Sequence, residues 1–229
     1  MAGEKNKRAW RLALVACVLA ALALGAVAVW RMLPIASVTS LGAASYSDAD
    51  FDIETYVSAI DADGDGVDDQ ADILAGARAY VATHPRYGSA YYAGGWPTDG
   101  QGVCTDVVAQ ALLAAGYDLR EEVYADRLTN PDGYEADENP DIDIDFRRVR
   151  NLRAYFSHTA TSLSCDTSDI AAWQGGDIVV WGNHIGVVSN VRRADGIPYV
   201  IHHRGVLQLA YEEDVLLDMG QIVGHYRVS

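Results

Sequence analysis

The sequence predicts an α+β domain carried behind a single N-terminal membrane helix. Three observations lead there. An unbroken apolar run of 19 residues opens the chain at positions 12–30. A glycine-rich loop gives way at Cys104 to the helical apolar spacing of CTDVVAQALLAAG. Three short β-branched runs, residues 177–181, 185–191 and 198–202, read as antiparallel strands packed against that helix, as a sheet or half-barrel.

At 229 residues and 24.7 kDa, the chain has room for one ordinary domain with a real core. Three cysteines exclude a disulfide scaffold. The net charge of −15 is unevenly spread. Lys5, Lys7, Arg8, Arg11 and Arg31 face Glu4 alone in the first forty residues, a net +4, which leaves −19 on the rest. A domain that acidic repels phosphate backbones, which argues against nucleic acid as a partner.

The apolar run spans about 28 Å as a helix, enough for a bilayer core. Four cations precede it, so the N-terminus is expected in the cytoplasm and the remainder outside. Trp10 and Trp30 bracket it as interfacial anchors. The expectation is a single-pass membrane protein. Cleavage in the small-residue stretch SLGAAS, residues 40–45, is the competing reading and makes the domain secreted. Residues 1–33 are thus read as cytoplasmic tip and anchor, 34–50 as linker, 51–75 as a calcium-loop region, and 76–229 as the main domain.

Residues 61–72 read DADGDGVDDQAD. Hard cations want several oxygens at alternating positions of a tight loop. Asp61, Asp63 and Asp65 stand at positions one, three and five, and Gly66 at the sharp turn. Val67 offers a carbonyl at seven, Asp69 stands at nine, and Asp72 closes at twelve. The loop resembles an EF-hand, and more closely its dockerin-type version, which closes on Asp. A structural Ca²⁺ is therefore expected, flanked by an exiting helix (73–82) and a short entering helix (51–60).

Cys104 falls at the first turn of a helix that stops at Gly116. A helix N-terminus favours thiolate over thiol, and its N–H groups can face an oxyanion. A buried structural cysteine is the plain alternative, and a disulfide to Cys165 is the main threat to a catalytic role. DIVVW and HIGVVSNV form a hairpin on a Gly-Asn turn, with His184 at the start of its second strand, beside Gly186. YVI then ends in His202 and His203, either of which can orient the His184 ring. A metal hydrolase using these histidines lacks any H-E-x-x-H spacing. Asp106 is expected to cap or pair. The DENPDIDID stretch (137–145) has the alternation of an edge strand or extended loop, with Arg147 and Arg148 placed to neutralise it or to bind a substrate carboxylate.

GVCTDVV, GDIVVWGNHIGVVSN, YVIHH, the terminal IVGHYR and RRVRNLRAYF together resemble the bacterial family called domain of unknown function 1287, over residues 73–226. That family resembles the NlpC-like branch of the papain-like cysteine peptidases. The resemblance implies Cys104 as nucleophile, His184 as general base, His202 as third polar residue, and cell-wall peptides as substrate. Three positions depart from the family pattern. His203 stands where Asn is usual, Phe146 where His is usual, and Arg150 where Pro is usual. The same fold with an idle Cys104 would instead be a cell-envelope binding module.

Overall fold

The computed structural model describes residues 37–39, 45–135 and 139–228. The membrane anchor expected at residues 12–30 lies outside these. No helix among the described residues is long and apolar enough to cross a membrane.

The architecture is α+β. Four helices, α1 (Asp69–Val81), α2 (Cys104–Ala114), α3 (Leu119–Thr129) and α4 (Val149–Thr159), pack with a seven-stranded sheet. Its strands are β1 (Ser37–Thr39), β4 (Thr161–Ser162), β5 (Ile178–Val180), β6 (Ile185–Arg192), β7 (Pro198–Ile201), β8 (Ala210–Glu213) and β9 (Gly224–Arg227). They run in the order β1-β8-β7-β6-β5-β9-β4. All neighbours are antiparallel except β1 and β8. A separate parallel pair, β2 (Arg86–Tyr87) and β3 (Gln101–Gly102), leads into α2.

Each element follows from local chemistry. The Asp68 carboxylate accepts from the Ala71 N–H and caps α1. Gly116 supplies the left-handed residue (φ +89°) just past α2. Gly182 and Asn183 turn β5 into β6, with the Trp181 N–H donating to the His184 carbonyl at 2.9 Å. Helix α2 is the central beam. Val107, Val108, Ala111 and Leu112 are wholly buried with Ile73 and Ala77 of α1 and with Ile185 and Val187 of β6. A second apolar cluster, built on Trp173, Trp181, Val188 and Val200, also draws on the sheet.

Three sequence expectations differ from what the chain does. The segment read as an entering helix (51–60) is a 3₁₀ turn, Asp48–Phe51, followed by irregular chain. Part of the segment read as a linker is docked. Strand β1 extends the sheet, Tyr46 bridges Arg192, and the buried Asp48 carboxylate pairs with the Arg192 guanidinium at 2.5 Å. In the stretch read as an edge strand or extended loop, residues 142–144 turn into a 3₁₀ segment, Asp145–Arg147, and no strand forms among the described residues. Its aspartates bond the local backbone: Asp141 accepts from the Asp143 N–H at 3.0 Å, and Asp145 from the Asp141 N–H at 2.7 Å. Such bonds compete with a strand ladder.

Candidate active site

Helix α2 begins at Cys104 because Asp106 holds the turn. The Asp106 carboxylate accepts from the Val103 N–H at 2.8 Å, the reach-back half of a capping box. Arg147 clamps the same carboxylate through Nε and Nη2 at 2.7 and 3.1 Å. Its Nη1 donates to the Ala90 carbonyl, and its guanidinium lies over the Tyr92 ring. Arg147 therefore fixes the helix start and the preceding loop together. It does not neutralise the acidic turn; Arg127 and Arg148 meet Asp145 there.

The thiol of Cys104 points toward β6. Backbone N–H groups of Ile185, Thr105 and Cys104 itself favour its ionised form. Burial outweighs them and pushes the thiol up to about 11, against the lowering expected from the helix end. Both Cys104 and Cys165 are free, so no bridge blocks the sulfur.

His184 sits one residue before Ile185. Its Nε2 lies 2.9 Å from Nδ1 of His202, and the two rings meet at 88°. Burial, then the neighbouring His202, Arg204 and His203, push His184 down to about 3. Burial lowers His202 and His203 also, the latter to about 4. The His203 ring packs edge-on against Tyr87 and Tyr211, and its Nδ1 is buried with no hydrogen-bond partner. Gly186 is what lets β7 come this close. A Cβ there would stand 2.6 Å from Val200 Cγ1 and 3.3 Å from His202 Cβ.

The structure thus joins His184 to His202, and it seats the thiol against the residue after His184. No hydrogen bond joins Cys104 to His184 among the described residues. Tyr87 stands near enough for the Cys104 charge to raise its phenol, after burial. Sequence reasoning missed Glu213, whose Oε2 lies 3.2 Å from His202 Nε2.

The acidic loop is folded on its own carboxylates. Asp61 accepts from the N–H groups of Gly64, Asp65 and Gly66, and Gly66 takes φ +96°. One carboxylate oxygen each from Asp61, Asp63 and Asp65 lie within 4.8 Å of one another. Asp72 has a buried Oδ2 without a hydrogen-bond partner, and burial followed by Asp65, Asp63 and Asp61 raises its carboxyl. Asp69, expected at position nine, is turned inward. It accepts from the Ala62 N–H at 2.8 Å and from the Tyr117 hydroxyl, so it is spent on holding the loop to the far end of α2. Val67 is exposed at the loop tip.

The fold is α+β, with Cys104 at a helix start seated against the backbone beside a hydrogen-bonded histidine pair. The chain belongs to the family described as Domain of unknown function (DUF1287), which matches residues 74–228. It is also similar to Uncharacterized protein YijF of Escherichia coli (strain K12), 41% identical over 169 residues, covering 68% of this chain and 80% of that protein. No solved structure matches it. The acidic loop, residues 61–72, lies outside the family match.

Proposed function

We propose that this is a membrane-anchored, extracytoplasmic thiol hydrolase of the NlpC-like, papain-like kind, cleaving amide bonds in cell-wall peptides. The observation that carries the reading is the convergence of Cys104, at a helix start, on the backbone beside a hydrogen-bonded histidine pair. The Cys104 sulfur attacks the amide carbonyl and the thiol proton passes to His184. The carbonyl oxygen takes the developing charge against the Cys104 N–H. The C–N bond then breaks, His184 returns the proton to the departing amine, and water releases the acyl group from sulfur. Thiol and imidazole are both neutral at rest, so the proton moves only once a carbonyl is in place. The site opens outside the bilayer if residues 12–30 anchor the chain, which is where wall polymers lie.

The test is turnover. Cell-wall fragments mixed with the full chain should yield new free amines, and Cys104→Ala should yield none. Fragment binding without amine release in either protein supports the second reading, a binding module. The raised thiol favours that reading, because it leaves little nucleophile at neutral pH.

The acidic loop fits a structural Ca²⁺. Asp61, Asp63 and Asp65 would hold it, while Asp72, expected to close the loop at position twelve, lies outside their group. The three clustered carboxylates are the feature a cation would relieve. Its role is to brace the end of α2 opposite Cys104.

A further inference from the structure

We infer that Glu213 is a positioning residue that sets the proton pattern of the whole histidine pair, so that His184 is held with a bare Nδ1. The inference rests on the hydrolase reading for its use, but not for its chemistry.

The contacts run outward from the carboxylate. Glu213 lies on β8, next to β7, and its Oε2 is 3.2 Å from His202 Nε2. Arg204 Nη2 stands 3.7 Å from the same oxygen. An ionised carboxylate accepts hydrogen bonds and cannot donate them, so the proton of that contact belongs to His202 Nε2. A neutral imidazole carries one N–H, which leaves His202 Nδ1 bare. That nitrogen is 2.9 Å from His184 Nε2, so the proton between the rings belongs to His184. His184 is then the Nε2–H tautomer, and its Nδ1 lone pair is the free base. Burial keeps both rings neutral, so neither escapes the rule by taking a second proton.

Gln208 competes for the same nitrogen and shows what Glu213 prevents. Its Nε2 donates to the His202 carbonyl at 3.1 Å and lies 3.4 Å from His202 Nε2. Without the carboxylate, this amide can donate to a bare His202 Nε2. The proton then moves to His202 Nδ1, His184 Nε2 must accept, and His184 Nδ1 gains the proton. One side chain two contacts away thus decides whether His184 can act as a base.

The experiment is ¹⁵N-histidine labelling of the full chain, held in mild detergent near neutral pH, with long-range proton–nitrogen correlation. Protonated and bare ring nitrogens resonate far apart, so each tautomer is read directly. Expected are Nε2–H at both His184 and His202 in the wild type, and Nδ1–H at both in Glu213→Ala. A purely structural role for Glu213 would not move that pattern. A wild-type His184 carrying its proton on Nδ1 overturns the inference without any variant. So does a folded Glu213→Ala with the wild-type pattern. If the tautomers behave as expected and no amine is released from wall fragments, the relay stands and the hydrolase reading fails. If amine release needs Cys104 while Glu213→Ala leaves tautomers and rate unchanged, the relay fails and the hydrolase reading stands.

Discussion

The two ends of helix α2 gather polar groups in opposite ways. At the Cys104 end, two buried, neutral histidine rings are chained by single hydrogen bonds from ring to ring to carboxylate. At the Gly116 end, the acidic loop packs on the glycine, with Asp63 Cβ 3.1 Å from where a Gly116 Cβ would sit. Asp61, Asp63 and Asp65 there are exposed and crowded with like charge. The buried end is sensitive to any proton it is forced to accept. The exposed end is crowded with charge that water and salt screen. One helix thereby carries a dry polar cluster at one end and an exposed acidic loop at the other.

The largest break in that comparison comes from the anchor of the dry end. Arg147→Ala strands the buried Asp106 carboxylate, and stability should fall by about 3–5 kcal/mol in thermal or urea unfolding. An exposed pair such as Arg193–Asp195 should change by less than about 1 kcal/mol.

Acid is the second test. His184, His202 and His203 are held below their ordinary value when folded, and take up protons freely when unfolded. Their contribution is complete above the unfolded value of about 6.5 and is lost as pH falls toward the folded values. At pH 5 the loss should be about 2 kcal/mol for each ring that stays neutral. His203→Asn should make the decline of Tm with acid shallower. An equal decline in that variant would show that His203 is not buried as described.

Gly186→Ala should cost about 1–3 kcal/mol, because the new methyl meets Val200 and the Ile201 carbonyl. It should also loosen the His184–His202 contact, visible as weaker protection of the β6 and β7 amides to hydrogen exchange. The smallest effect belongs to the wet end. Calcium at tenfold its dissociation constant should stabilise the chain by about 1.4 kcal/mol, and Asp63→Asn with Asp65→Asn should abolish the shift. An unchanged Tm at millimolar calcium removes the ion from the loop.

Much of this was legible in the sequence because local chemistry marked it. Cys104 follows a glycine-punctuated loop, Gly116 ends the helix, and Gly182-Asn183 turns the hairpin that delivers His184. His202 needed only the guess that its strand lies beside that of His184, which the β6–β7 register meets. Glu213 carried no such mark. It sits in YEED beside Glu212, and the strand alternation sends the two opposite ways: Glu212 to Ser189 and Arg78, Glu213 to His202. Which acid serves which partner depends on the pairing of β7 with β8. The thiol state was illegible for a different reason. A helix start is visible in sequence and lowers a thiol, whereas the burial that outweighs it is a property of the packed chain. Asp69 was misassigned because ligand spacing says nothing of Tyr117, which claims that carboxylate from 48 residues away.

The most direct measurement is the rate of Cys104 alkylation by iodoacetamide across pH, in the wild-type chain and in His184→Ala. Burial predicts a thiol that titrates above its ordinary range in both proteins, and a working couple predicts a neutral-pH rate that falls when the imidazole is removed. Identical profiles in the two proteins would mean that the sulfur and the ring do not work together.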